Sequence, residues 1–340
     1  MALYAIILAG GASSRFWPLS GDDHPKYLLR ADGRHTLLEL AWQRACACTD
    51  AGRVLVVTGA AQQSLVTRAL PALPTANLCV EPARRDTAAA IALGCGAVAR
   101  RDPQADVLVL PADTLLQPAQ ALTAAVEHAR GAPGFAEAIH VFGVRAPRPE
   151  TAFGYIEPGV PVAPGVRLVA RFREKPGAAQ AQEYWNAGFL WNIGCFLFSL
   201  PAFDRELARH LPQHSARLRL VRTAAPVAED YAALDPVSID YGLIEKVASL
   251  RVCELQAEFD DIGTWDALVT RLEALGVPPA QALSAGGEGN YAMGEPATVA
   301  VVGESGLLVV RQGDKVLVLK RGHGQLVREV ARRAGEKPHA

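Results

Sequence analysis

Leu8-Ala9-Gly10-Gly11-Ala12-Ser13-Ser14-Arg15-Phe16-Trp17-Pro18-Leu19-Ser20, and then Pro25-Lys26, is the stretch on which the fold turns. The apolar run before it, Tyr4–Leu8, predicts a strand. Glycines directly after a strand let backbone N–H groups approach an anion closely. The stretch has neither the G-x-x-x-x-G-K-[ST] frame of a Walker loop nor the G-x-G-x-x-G frame of a dinucleotide fold. Its distinctive feature is a pair of cations, Arg15 and Lys26, flanking a rigid Trp17-Pro18-Leu19-Ser20 segment. Arginine offers phosphate oxygens a planar fork and lysine a point charge.

On the C-terminal side of this turn, β-rich runs alternate with Ala/Leu-rich stretches at helical spacing. Val54–Thr58, Leu78–Glu81, Val107–Leu110 and Ile139–Val144 read as strands; Thr36–Cys46, Gln62–Leu70, Thr87–Arg101 and Ala119–Arg130 read as helices. That rhythm predicts a largely parallel sheet covered on both faces. Between about 150 and 200 it changes. Gly154-Tyr155-Ile156, Arg167–Glu174 and Cys195–Ser199 read as strands with little helix between them, which predicts an inserted α+β lobe. Helices resume at Pro201–Leu211 and Ile239–Val247, and Ala267–Leu275 ends at Gly276 and Pro278-Pro279. After a glycine-rich linker, Ser284 to Asn290, three short strands are expected at Thr298–Val302, Leu307–Val310 and Val316–Leu319. A basic helical tail, Gln325–Arg333, follows, and no internal repeat stands out.

Half of the 340 residues are hydrophobic and 20% are charged, which supplies a core and excludes wholesale disorder. Lys and Arg number 34 and Asp and Glu 35, a net charge of −1. No global basic field for nucleic acid follows, and no polybasic tail for a membrane surface. The run Ala5 to Ala9 meets Gly10-Gly11 at once, too short for a signal-peptide core. No run of about 18 apolar residues predicts a membrane span. Cys46, Cys48, Cys79, Cys95, Cys195 and Cys253 lack zinc-knuckle spacing and read as buried thiols of a cytoplasmic protein.

With its cations and its Trp-Pro-Leu-Ser segment in this order, the chain resembles the sugar-1-phosphate nucleotidylyltransferases, and among them the bacterial mannose-1-phosphate guanylyltransferases. Ser13 stands where that family usually has glycine. Glu81-Pro82-Ala83-Arg84-Arg85-Asp86-Thr87-Ala88-Ala89-Ala90-Ile91 is similar to the family's E-P-x-x-R-N-T-A-P-A-I, with Asp86 for Asn and Ala89 for Pro. Pro111-Ala112-Asp113 resembles P-[AS]-D-H, with Thr114 for His. Gly154-Tyr155-Ile156 resembles G-Y-I, Phe172-Arg173-Glu174-Lys175-Pro176 resembles F-x-E-K-P, and Trp191 to Phe196 resembles W-N-[ST]-G-M-F, with Ile193 for a small polar residue. Ser238 to Lys246 is similar to S-I-D-Y-[AG]-[VL]-[ML]-E-K, and Asp261-Ile262-Gly263-Thr264-Trp265 to D-V-G-[ST]-W. The likeness runs over roughly residues 3–275; the isomerase domain of bifunctional relatives is not expected here.

The resemblance implies an α/β, Rossmann-like nucleotidyltransferase fold: a mixed, mostly parallel sheet, an inserted sugar-binding lobe and a small C-terminal β-rich piece. It implies a catalytic domain over 1–280, with the lobe at about 150–200, and a C-terminal domain over 285–335. The implied reaction transfers GMP from GTP to mannose 1-phosphate, with Mg²⁺ held by Asp113 and Asp261. Asp260 is adjacent, and the motif register favours Asp261. Arg15 and Lys26 would be the catalytic cations. Leu8, Gly10, Gly11, Glu81, Arg85, Thr87 and Asp113 would meet the nucleotide. Gly154, Glu174, Lys175, Asn192 and Asp240 would meet the sugar phosphate. Physical chemistry adds that Asp86 or Thr87 can cap the helix that follows, and that Arg85 would lie by its anion-friendly N-terminus. Glu81, an acceptor-only carboxylate at a strand end, is the candidate reader of guanine's N1–H and 2-amino donors. Two other outcomes stay open: another pair, such as glucose 1-phosphate with dTTP or UTP, and a non-catalytic protein that binds sugar nucleotides. The oligomeric state is open as well, a homodimer being one option.

Overall fold

The structure is a computed structural model that describes residues 1–11, 14–19, 23–223, 228–277 and 282–335. Ser13, Ser20 and Pro278-Pro279 lie outside the described residues. Two compact units share the chain. The first holds Met1–Ala9, Leu40–Ala112 and Leu116–Phe259; the second holds Gly10–Glu39, Asp113–Leu115 and Asp260–Ala340. The division therefore differs from a boundary at 280–285, because the signature turn groups with residues after 260.

The first unit is built on the apolar runs that the alternation singles out. They form β1 (Leu3–Ala9), β2 (Val54–Gly59), β3 (Leu78–Glu81) and β4 (Asp106–Pro111). A short β5 (Leu115–Gln117) precedes β6 (Ile139–Arg145), β7 (Tyr155–Ala163), β8 (Val166–Arg173), β9 (Leu190–Ser199) and β10 (Leu250–Leu255). Nine of these strands pair in the order β3-β2-β1-β4-β9-β6-β10-β8-β7. β3, β2, β1 and β4 are parallel, β9 is antiparallel to both its neighbours, and β6 pairs parallel with β10. The sheet is thus mixed and mostly parallel, as expected.

Its core sits between β1, β2 and β4 and the helix Asp86–Ala99, whose small side chains allow a close approach. Ile6, Leu55, Val57, Val107 and Val109 are all buried there. A Cβ at Gly94 would stand 2.9 Å from Ile6 Cδ1 and 3.2 Å from Val57 Cγ2.

Several elements have no counterpart among the expected ones. Helices Ala178–Asn186, Pro212–Thr223 and Ala228–Ala232 lie where the sequence predicts little or no helix. The expected helix Ile239–Val247 is two short turns, Ile239–Gly242 and Ile244–Lys246. β10, which matches none of the expected strands, sits inside the sheet between β6 and β8.

The second unit gathers the signature turn with the C-terminal strands. Phe16 is buried and meets Trp265 edge-to-face, with ring centroids 5.1 Å apart. The Trp265 indole donates to the Trp17 carbonyl at 3.1 Å. Thr36 and Glu39 close a capping box: Thr36 N donates to Glu39 Oε2 at 2.6 Å and Glu39 N to Thr36 Oγ1 at 3.2 Å. After a short β11 (Glu258–Asp260), the chain forms the helix Trp265–Ala274. Then come β12 (Ala282–Ala285), β13 (Tyr291–Gly294), β14 (Val299–Val302), β15 (Leu307–Gln312) and β16 (Lys315–Lys320). Of the expected linker, Ser284 and Ala285 belong to β12, and residues 286–290 connect β12 to β13.

Ala282 pairs with Val299 and Tyr291 with Leu308, both in parallel. One register step, 17 residues, relates both pairs. Gly286 and Gly303, and Gly289 and Gly306, take left-handed φ of 66–73° at the same step. A two-turn repeat is therefore present, contrary to expectation: only the glycines recur, and the apolar positions carry different side chains. The helix Val327–Gly335 packs on the turn Ser14–Phe16, which carries Arg15. Among the described residues, no helix is long and apolar enough to cross a membrane.

Gly94→Val is expected to destabilise the first unit by about 1–3 kcal/mol through overpacking against Ile6 and Val57. Urea unfolding checks this; an unchanged midpoint would show that the helix does not rest on β1 and β2.

Candidate active site

The carboxyl ends of β1, β3 and β4 lead to the functional residues: Gly10 follows β1, Glu81 ends β3, and Asp113 comes two residues after β4. Open parallel sheets bind ligands at that edge. The Leu8 carbonyl accepts from Ala112 N at 3.1 Å and fixes two of those strand ends side by side. Gly11 has a left-handed φ of 101°, which a residue with a Cβ rarely adopts.

Arg15, Lys26, Asp113 and Asp261 come together in the second unit. Lys26 is buried and donates to Asp113 Oδ2 at 2.8 Å. A Cβ on Gly263 would stand 3.2 Å from Asp261 Oδ1 and 3.5 Å from an Arg15 guanidinium nitrogen, so glycine gives both groups room. Burial pushes the Asp261 carboxyl above the usual carboxylate range. Asp260 and Asp113 push it the same way, and Lys26 and Arg15 oppose them. Asp260 is used by its own turn, its Oδ1 accepting from Ile262 N at 2.8 Å. Ile262 is a buried β-branched residue at φ 45°, a genuine outlier for its type.

In the first unit Glu81 accepts a hydrogen bond from the Tyr231 hydroxyl, at 2.7 Å to Oε1. Burial raises the Glu81 carboxyl; Tyr231 and Arg84 pull it back. Arg85 and Thr87 are engaged with the protein itself. The Arg85 Nε donates to the Ala232 carbonyl at 2.8 Å, and one of its terminal nitrogens to the Arg84 carbonyl at 2.8 Å. Thr87 Oγ1 accepts from Ile239 N at 2.8 Å, so it does not cap its own helix. Asp86 Oδ1 accepts from Thr87 N at 2.7 Å, and Ala88 N donates to the Val237 carbonyl at 3.2 Å. The helix N-terminus expected to welcome an anion therefore has two of its leading N–H groups already paired.

The lobe residues also converge in the first unit. A Cβ on Gly154 would lie 2.5 Å from Glu174 Oε2 and 3.3 Å from Asn192 Cβ, so only glycine admits the carboxylate. Glu174 Oε1 pairs with Lys175 Nζ at 3.0 Å. Asn192 Nδ2 donates to Asp240 Oδ1 at 3.1 Å, and its Oδ1 accepts from Gly194 N. Burial, reinforced by Glu174, pushes the Asp240 carboxyl up to about 7, against the pull of Lys175 and Asn192. Burial pulls the Lys175 ammonium down, but Glu174 and Asp240 outweigh it and leave it raised.

Two partners carry no assigned role in the sequence. Glu245 Oε1 accepts from Glu174 N at 2.9 Å, and Tyr231 holds Glu81. Glu245 lies inside a quoted motif and is within reach of a sequence reading; Tyr231 lies in a stretch without one.

A glycine turn after the first parallel strand, with paired carboxylates and cations, defines a nucleotidyltransferase. Residues 4–276 match the family described as nucleotidyl transferase. The chain is 34% identical to the xanthan biosynthesis protein XanB of Xanthomonas campestris pv. campestris, over 96% of its own length and 72% of XanB. It is 33% identical to the mannose-1-phosphate guanylyltransferase ManC of Salmonella typhimurium, over 96% and 72% of the two chains. A solved protein from Thermus thermophilus, described as a mannose-1-phosphate geranyltransferase, superposes with a TM-score of 0.83 at 34% identity, covering 98% of this chain and 100% of that one. The chain belongs to the nucleotidyl transferase family, in the branch that holds the mannose-1-phosphate guanylyltransferases.

The raised Asp240 carboxyl gives a signed pH dependence. Its folded value of about 7 lies above the model-peptide value of 3.8, so its ionisation opposes folding as pH rises through that window. Asp240→Asn is expected to gain thermal stability over the wild type progressively from pH 5 to about 8. A melting-temperature difference independent of pH would show that Asp240 ionises freely.

Proposed function

We infer that the protein transfers GMP from GTP to mannose 1-phosphate, forming GDP-mannose and releasing pyrophosphate. The carrying observation is the grouping of Arg15 and Lys26 with Asp113 and Asp261 in one unit, on a turn that follows the first parallel strand. Kinship with guanylyltransferases over almost the whole chain supports the same choice of substrates.

The sugar phosphate oxygen attacks the α-phosphorus in line as the bond to pyrophosphate breaks. The nucleophile is already an anion, so neither a general base nor a covalent enzyme intermediate is required. The obstacle is repulsion: two unit charges at 4 Å repel by about 4 kcal/mol at an effective dielectric near 20. Arg15 and Lys26 oppose the charge of the departing pyrophosphate, and Lys175 that of the incoming phosphate. Glu174 and Asn192 supply an acceptor and a two-way partner for sugar hydroxyls.

Asp113 and Asp261 fit a divalent cation. Both offer hard oxygens, and the Asp113 charge disfavours ionisation of Asp261, which a cation would relieve. Among the described residues no group of three or more His, Cys, Asp or Glu could hold a metal. Mg²⁺ suits such a sparse set, because it keeps waters and takes further ligands from substrate phosphates. When bound it would offset phosphate charge. The cytoplasm is the proposed setting, in keeping with six free cysteines, three buried and three partly so.

The test is pyrophosphate release with GTP, ATP, UTP, CTP and dTTP against mannose 1-phosphate and glucose 1-phosphate, with Mg²⁺ or with EDTA. Release confined to GTP with mannose 1-phosphate and abolished by EDTA is expected. Another productive pair would keep the chemistry and overturn the substrate assignment. No release at all, with GDP-mannose still bound, would leave a binding protein. Lys175→Ala is expected to raise KM for the sugar phosphate at least tenfold more than KM for GTP, about the effect of a lost charged hydrogen bond. If only the GTP constant moved, the lobe would not be the sugar-phosphate site.

A further inference from the structure

We propose that Tyr231 is a positioning residue for nucleotide choice, acting through Glu81. The proposal rests on the reading that Glu81 selects guanine. Tyr231 stands on the short helix Ala228–Ala232, 3% exposed, and its hydroxyl donates to Glu81 Oε1 at 2.7 Å. The Arg85 guanidinium grips the carbonyl of the next residue, Ala232. The segment Glu81 to Arg85 is therefore attached to this helix at two points, one at the carboxylate and one four residues later.

The chemistry of guanine explains what the tyrosine adds. Guanine offers N1–H and a 2-amino group, two donors that match an ionised, acceptor-only carboxylate. Adenine offers an acceptor at N1 and a donor at its 6-amino group, which match a protonated carboxyl. The protonation state of Glu81 thus decides between the bases. Burial and Asp86 favour the neutral form; the Tyr231 hydroxyl and Arg84 favour the anion. Tyr231 is a secure donor, since burial and Glu81 push its own ionisation above the usual range against the opposing charge of Arg85. This hydrogen bond therefore favours the Glu81 anion against the effect of burial and fixes one of its oxygens, with acceptor sites left for the base.

The experiment compares wild type, Tyr231→Phe, Glu81→Gln and the double variant, with KM and kcat for GTP and ATP from pH 6 to 9. Thermal melts verify that each variant is folded. Tyr231→Phe should raise KM for GTP about tenfold, leave kcat at saturation nearly unchanged and narrow the preference for GTP over ATP. Its KM for GTP should climb more steeply than that of the wild type as pH falls. In the Glu81→Gln background, Tyr231→Phe should change nothing further in the GTP/ATP ratio. An unchanged ratio and pH profile in Tyr231→Phe, with Glu81→Gln responsive, would overturn the role of Tyr231 alone, as would additive effects in the double variant. A Glu81→Gln enzyme with full GTP preference would overturn the guanine reading beneath it.

Discussion

The ion pair between Lys26 and Asp113 is the interaction on which the second unit's chemistry depends. A lysine ammonium is buried only with a partner, because the uncompensated charge costs several kcal/mol. Here the partner is a carboxylate 87 residues away in sequence, held at 2.8 Å. The pair fastens the end of the signature turn to Asp113, two residues after β4. It also fixes the charge balance: Arg15 and Lys26 stand against Asp113 and Asp261, while Asp260 is tied to its own turn. A cluster near neutrality has no spare positive charge for a triphosphate. The divalent cation proposed above would supply the positive charge that this balance lacks.

Backbone strain marks a few positions in both units. Among the described residues, three other than glycine take a left-handed φ: Asp86 at 63°, Lys175 at 44° and Ile262 at 45°. Each lies in or beside a segment assigned to the proposed site, and each has a neighbouring hydrogen bond. Asp86 Oδ1 accepts from Thr87 N, Glu174 N donates to Glu245, and Ile262 N donates to Asp260. Such conformations cost about 1–3 kcal/mol and persist where the surroundings over-determine them. The replacement of asparagine at position 86 has a ready explanation here. Asp, like Asn, tolerates the left-handed region and can accept from the next N–H.

The first 145 residues are legible because their strands are continuous apolar runs set off by glycine, proline or aspartate, and both faces of the sheet are covered. β10 escapes notice for the opposite reason. Its sequence, Leu-Arg-Val-Cys-Glu-Leu, carries two charges, and those are drawn to its surroundings: Arg251 donates to the Pro133 carbonyl, and Glu254 pairs with Arg145. The helix Ala178–Asn186 has no Leu, Ile, Val or Met, only alanines, Tyr184 and Trp185 among polar residues, so no aliphatic periodicity marks it as a helix. The two-turn C-terminal repeat depends on glycine geometry and register, which a pattern of side chains barely records. Motif residues meet one another, Lys26 with Asp113 and Asn192 with Asp240, whereas Tyr231, the partner of Glu81, lies in a stretch without a motif. Chemistry alone makes Arg85 a candidate anion ligand. One of its actual acceptors, the Ala232 backbone carbonyl, is 147 residues away, and the other is the adjacent Arg84 carbonyl.

Residues 237–245 show why the regions proposed for base and sugar phosphate in the first unit cannot be treated as separate modules. The Val237 carbonyl accepts from Ala88 N, and Ile239 N donates to Thr87 Oγ1, so this segment braces the start of the helix after Glu81. One residue on, Asp240 meets Asn192, and five residues further Glu245 holds the backbone of Glu174. A single stretch of chain thus supports the residues assigned to the base and those assigned to the sugar phosphate. Its own residues need not touch either substrate to matter. A carboxylate buried at Asp240 has a cost that rises with its ionisation, and a strained turn at Lys175 has a cost that Glu245 offsets. Both costs are borne by contacts within this stretch, which is why its charged residues read as functional in the sequence although most of their bonds are internal.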